Sequence, residues 1–167
     1  MGNKGFTLVE VLAVIAIVAV LGLIAIPGVI GTISRGRDNS YQIMVANVKS
    51  ASISLFEEIE YGDGMIYQYY QSGQTSQKIT ISSNQITVNL QSLVSNGFLQ
   101  GMNNPSDVND QSVSNKNDSI LINPRNNEDI GTCQILIKKI VDINGRVNYQ
   151  FRSLSSNSSC PKTSDYS

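Results

Sequence analysis

The 167-residue chain carries 12 Lys and Arg against 13 Asp and Glu, a net charge of −1, and no histidine. That balance excludes a strongly basic nucleic-acid protein, and an apolar content of 41% excludes a chain too polar to fold. Without histidine there is no Ser-His-Asp arrangement and no His-containing metal site.

The first element is unlike the rest. From Val11 to Ile30 there is no charged and no ordinary polar side chain, only apolar residues with Gly and Pro. A helix of that length is about 30 Å long, enough to cross a bilayer. A secretory signal fits less well, because its apolar region is about 7–15 residues and ends in an A-x-A-like site, which this sequence lacks. Lys4 ahead of the run and Arg35 and Arg37 behind it leave the orientation open. Glu10 stands just before the run, one turn inside a helix that begins near Phe6. A carboxylate deep in a membrane helix costs about 2.5–3.5 kcal/mol and calls for a partner. At headgroup level, the same carboxylate is a charge favoured by the helix macrodipole.

Gly5-Phe6-Thr7-Leu8-Val9-Glu10, followed by the apolar run, resembles the processing site of type IV pilins and pseudopilins over the first quarter of the chain. The resemblance implies a leader of residues 1–5, cut by a prepilin peptidase between Gly5 and Phe6, with N-methylation of Phe6. It implies that Glu10 meets the positive N-terminus of a neighbouring subunit. Residues 6–33 then form the transmembrane and filament-core helix, and 34–167 a soluble pilin-like head. A cut ahead of the apolar run leaves that helix on the mature protein. Outside the bilayer, copies of the chain must bury it, and head-to-tail contacts that do not close build a filament. Gly22, Pro27, Gly28 and Gly31 mark a kink or locally unwound stretch, and Pro27 matches a proline frequent in filament-forming members.

The helix continues to about residue 61, with Tyr41, Val45, Val48, Ser52, Leu55 and Ile59 on an inward face and Gly62-Asp63-Gly64 as its stop. Glu57, Glu58 and Glu60 read as a solvated face, or as a contact to a neighbour's basic residues. Residues 61–77 form a long loop with Tyr61, Tyr67, Tyr69 and Tyr70. Lys78 to Ile81 and Gln85 to Val88 alternate as strands, and Asn89 to Asn96 is a short helix with Leu90, Leu93 and Val94 inward and Gly97 as C-cap. Residues 101–130 are mostly loop. Gly131 to Asp142 is a strand with Cys133, Ile135, Ile137 and Val141 on one face. Asn144-Gly145 signals a tight hairpin, with Val147, Tyr149 and Phe151 alternating on the returning strand. The fold class is α+β, a long N-terminal helix on an antiparallel sheet, in agreement with the resemblance.

Cys133 and Cys160 form one disulfide made outside the cytoplasm, or are two unrelated free thiols; bridged, they pin the C-terminal tail across the sheet. Asp107, Asp110 and Asp118 lack EF-hand spacing, and Asn117 and Asn157 head sequons of a kind frequent by accident in Asn/Ser-rich sequence. There is no phosphate-binding glycine motif, so no cofactor, metal or enzymatic activity is expected. Residues 111–167 hold seven Lys and Arg against five Asp and Glu, with Lys138, Lys139, Arg146 and Arg152 on the hairpin, too weak an excess for nucleic acid.

The expected protein is thus a structural subunit of a type IV pilus or pilus-like filament. Its partners are other subunits, the prepilin peptidase and methylase, the assembly machinery and, before assembly, the lipid bilayer. It passes from the bacterial cytoplasmic membrane to an extracellular filament serving adhesion or twitching motility. The alternatives are a pseudopilin of a secretion or DNA-uptake system, and a monomeric single-span surface binding protein.

Overall fold

The computed structural model describes residues 7–62, 67–68, 77–103 and 119–167, without the side chains of 23–28, 67, 68, 77, 102, 103 and 119. The chain divides into two compact units, Met1–Asn39 and Ser40–Ser167. A single helix, α1 (Leu8–Tyr61), contributes to both. In the first unit its backbone is helical through Gly22, Pro27, Gly28 and Gly31, where the sequence suggested a kink or unwinding. Among the described residues no helix is long and apolar enough to cross a membrane.

After α1 come β1 (Tyr67–Gln68), β2 (Gln77–Lys78), β3 (Gln85–Asn89), α2 (Leu90–Ser95), β4 (Met102–Asn103), β5 (Ser119–Ile120), β6 (Gln134–Val141), β7 (Val147–Ser153) and a terminal 3-10 turn, Thr163–Tyr166. β3, β6 and β7 form a three-stranded antiparallel sheet with β6 in the centre. Its register sets Val88 beside Ile135, and Ile137 between Ile86 and Phe151. All five are buried, and they share one cluster with Tyr41, Met44, Val45, Val48, Ala51, Leu55 and Phe56 of α1. The three-and-four spacing of that helical set is what turns a single face to the sheet. Ser52 is buried on the same face, and Phe56 meets Tyr149 edge-on at 5.6 Å between ring centroids.

α2 follows β3 directly, and backbone carbonyls cap its start. The amides of Leu90 and Gln91 donate to Cys133 O and Gly131 O at 2.9 and 2.8 Å. A side chain at Gly131 would lie 2.6 Å from Gln91 Oε1, so the close approach of these two segments suits glycine. At the far end, Gly97 (φ 81) donates to Val94 O and Phe98 to Leu93 O, the double hydrogen bond that closes a helix at glycine.

Several expectations need correction. The alternation at 78–81 does not make a strand: β2 ends at Lys78, and Ser82 bridges to Gln85 across Ser83 and Asn84, both at positive φ (52 and 58). Beyond Lys78 the chain runs into this turn without pairing to another strand among the described residues. The 101–130 loop contains the β4–β5 pair and supplies Leu121 and Ile130 to the core. Asn144-Gly145 does not form a two-residue turn. The Asp142 carboxylate accepts the amides of Asn144 and Arg146, both at 2.8 Å, and Gly145 alone takes positive φ (78), giving a longer loop with a bulge. Val141 is 53% exposed, because the inward face of β6 leaves the apolar core after Ile137.

The residue that ends the core is Lys139. Only 9% exposed, it places Nζ 2.7–2.8 Å from both carboxylate oxygens of Glu60 and 2.8 Å from Tyr61 Oη. Glu60 therefore pairs within its own subunit while staying partly exposed to water. Lys139 also supplies the cation that the last turn of α1 lacks, offsetting its dipole. Glu57 accepts a hydrogen bond from Tyr149 Oη at 3.3 Å.

The C-terminal tail closes the other end. A disulfide joins Cys133 to Cys160 with Cα atoms 5.7 Å apart, and Phe151 stacks on Tyr166. Tyr41 Oη donates to Asp165 at 2.7 Å, and Lys49 Nζ donates to Tyr166 O at 2.8 Å, so the tail is tied to α1. Ser159, next to the bridge, holds the 123–128 loop: its carbonyl accepts from Asn123 Nδ2, and its hydroxyl contacts Asn126 and Glu128.

Two predictions follow from this packing. The bridge closes 27 residues, which the chain-entropy view values at about 3–4 kcal/mol. Cys133→Ser with Cys160→Ser should lower the urea midpoint by a matching amount, and an unchanged midpoint would show that the bridge adds nothing.

The second prediction concerns alkaline pH. Hydrogen bonds to Glu60 and Tyr61 raise the pKa of Lys139. Burial, with Asp165 adding to it, raises Tyr41; burial, with Tyr41 and Asp165 adding to it, raises Tyr166. A folded-state pKa above the unfolded value gives stability that is complete below the unfolded pKa and is lost as pH rises through the folded one. The melting temperature should therefore fall from about pH 10 upward. Glu60→Gln should weaken that fall, and an identical pH profile in this variant would remove Lys139 from the account.

Candidate assembly site at the N-terminus

Gly5 and Phe6, with Lys4 and the rest of the leader, lie outside the described residues. The described site begins at Thr7, just before α1. The Glu10 amide donates to Thr7 Oγ1 at 3.3 Å, and the Val11 amide donates to Thr7 O at 3.2 Å. Thr7 is thus the N-cap of α1 and Glu10 its third residue. Threonine-x-x-glutamate is the spacing of a capping box, and it was readable in the sequence, although the helix start was expected two residues earlier, near Phe6.

This placement has an electrostatic meaning. The first turn of a helix presents amides without intrahelical partners and the positive end of the dipole. Thr7 takes up one of these amides. The Glu10 carboxylate, the only acidic group of the first turn, sits in that positive field with its side chain exposed.

On both sides of Glu10 the described apolar side chains of the first unit are exposed. Leu8 is 77% exposed and Val18 61%, and Val11, Leu12, Val14, Ile15, Ile17, Val20 and Leu21 are exposed as well. They fall on every side of the helix, and a helix apolar all round belongs in a membrane or inside a larger assembly.

The remaining candidates are scattered. Asp107, Asp110, Asp118, Asn117, Asp63, Gly64, Tyr69 and Tyr70 lie outside the described residues. Asn157 of the second sequon is exposed, with its side-chain oxygen accepting the Ser159 amide. Lys138, Arg146 and Arg152 are exposed, whereas Lys139 is taken up by Glu60. Among the described residues no cluster of acidic or cysteine side chains could hold a metal ion.

Residues 1–26 match the family model of the prokaryotic N-terminal methylation motif, the processing signal of type IV pilins and prepilin-like proteins. The motif supports a type IV pilin-like or pseudopilin-type protein of structural character, processed by prepilin peptidase, with a membrane-anchored precursor. No curated protein and no solved structure matches the chain.

The cap is open to test. Thr7→Ala should loosen the start of α1 by about 1 kcal/mol, and Thr7→Ser should retain it. In the full chain in detergent micelles, Thr7→Ala should speed hydrogen exchange at the Glu10 amide about fivefold. Equal exchange in the two variants contradicts the cap.

Proposed function

We propose that this chain is a structural subunit of a type IV pilus or pilus-like filament, polymerised through the apolar part of α1. The observation that carries the reading is the methylation motif over residues 1–26, running directly into a helix whose apolar side chains are exposed on every side.

In this reading the peptidase cuts between Gly5 and Phe6, and the new Phe6 amine is methylated. The bilayer covers the apolar helix in the precursor, and copies of the same helix cover it in the filament. At about 25 cal/mol per Å² of apolar surface, that transfer supplies ample energy for a fibre core. The Glu10 carboxylate then meets the Phe6 ammonium of an adjacent subunit, the charge partner that a carboxylate in an apolar core requires. Gly22, Pro27 and Gly28 are where α1 would bend or unwind on assembly, because proline leaves one turn short of a hydrogen bond. The same processing signal serves pseudopilins, so the length of the surface filament separates the two roles.

Glu10 gives the decisive test. Removing one partner of a buried ion pair strands the other, at a cost of about 3–5 kcal/mol. Glu10→Val cells should insert and cleave the subunit, with mass spectrometry finding N-methyl-Phe6 as its first residue, yet assemble few or no filaments. Glu10→Asp should fall between, since the shorter side chain keeps the charge but reaches less far. Wild-type filament numbers in Glu10→Val cells would falsify the charge pairing. A mature protein that retains Met1 would remove the processing itself.

A further inference from the structure

The β6–β7 hairpin projects past the helix that covers its sheet. Lys139 donates to Glu60 and Tyr149 to Glu57, so α1 ends beside the Lys139–Tyr149 pair. The pairs Ile140–Asn148 and Val141–Val147, and then the turn, lie beyond it. Val141 is 53% and Val147 47% exposed, and Ile143 in the turn is fully exposed. Turns ordinarily carry polar residues at such positions, and this one is firmly made. The Asp142 carboxylate accepts the amides of Asn144 and Arg146, and the Asp142 amide donates to Arg146 O at 3.0 Å. The turn thus presents an aliphatic side chain in a fixed place, the form that an interface anchor takes. The charge around it is acidic. With Glu60 matched by Lys139, the last turn of α1 and the hairpin turn hold Glu57, Glu58 and Asp142 against Arg146.

A complement lies elsewhere on the same Ser40–Ser167 unit. A groove of about 850 Å³ lies on the sheet face opposite α1 and reaches the terminal turn. Gln85, Lys138 and Gln150 make one row across the three strands, and Leu136 with Arg152 belongs to the next. Lys49 adds a third cation, and no acidic side chain lines the groove. Lys138 and Arg152 are exposed and, among the described residues, form no ion pair. Tip and groove are both carried by the β6–β7 ladder, so a tip cannot fold into the groove of its own copy.

We propose that the Ile143 tip of one copy docks in the cationic groove of the next, a contact that joins the heads of a filament. Charge selects this pairing. Tip against tip would bring Glu57 and Glu58 of two copies together, and groove against groove would do the same with Lys138 and Arg152. An anionic lipid surface would be repelled by the same carboxylates at the tip. Because tip and groove are different surfaces, each new copy leaves one of each open, and the contact propagates without closing. The inference rests on the filament reading and adds to it a contact between heads, separate from the apolar helix.

Both native cysteines are bridged, so introduced thiols can be cross-linked selectively. Filaments carrying Ile143→Cys with Gln150→Cys, treated with a short bismaleimide, should give a ladder of multimers on a denaturing gel, and each single variant should stay monomeric. Dimers from Ile143→Cys alone would show tip against tip, and monomers from the double variant in intact filaments would show no contact; either result overturns the proposal. Ile143→Asp changes a side chain that is fully exposed within its own subunit. It should lower filament number about tenfold while leaving N-methyl-Phe6 on the processed subunit, and Ile143→Leu should keep the wild-type number. Lys138→Glu with Arg152→Glu should cause the same loss, and adding Glu57→Lys with Glu58→Lys should recover filaments. Wild-type numbers in Ile143→Asp cells, or no recovery by the charge exchange, would equally overturn the contact while leaving the filament reading in place. Wild-type cells without filaments would remove the filament reading itself, and this contact with it.

Discussion

A three-stranded sheet can bury its apolar face only if another element covers it, and here the cover is the head half of α1. Ile86, Val88, Ile135, Ile137 and Phe151 on one side meet Val45, Val48, Leu55 and Phe56 on the other. Full burial of such side chains contributes about 1.5–3 kcal/mol each, far more than any surface contact in the unit. α2 and the tail attach to this contact. α2 donates its first amides to the strand-side carbonyls, and the tail is tied back to Lys49 and Tyr41 of the helix.

The contact also fixes where the core stops. Beyond Ile137 the inward position of β6 is Lys139, and the helix opposite it has reached its acidic last turn. Burying an ammonium there is tolerable because Glu60 and Tyr61 satisfy it. The outcome is an ionic stopper at one end of the core. At the other end, the disulfide and the Phe151–Tyr166 stack hold a tail with little apolar surface of its own.

One helix carries two surface patterns that a single solvent cannot satisfy. From Tyr41 onward most of its apolar side chains lie on one buried face, with Ile43 and Tyr61 exposed. In the first unit they lie on all sides and are exposed. Water suits the first pattern and penalises the second. The methylation motif supports a membrane-anchored precursor, in which lipid is the medium that suits the second pattern.

Local and periodic features were legible without coordinates: the processing motif, the apolar run, the inward face from Tyr41 to Leu55, and the short helix with Leu90, Leu93, Val94 and its Gly97 cap. Each is written within one or two turns of chain, where residue spacing and backbone preference act directly. The cap at Thr7 belongs with them, since its spacing stands in the sequence. The pairing of β3 with β6, the exposure of Val141 and the longer loop around Asn144-Gly145 were not legible, because they depend on which surfaces meet. Lys139 shows the difference most sharply. By itself it is one cation in an alternating strand, and only folding brings it to Glu60, 79 residues earlier in the chain, where it ends the core.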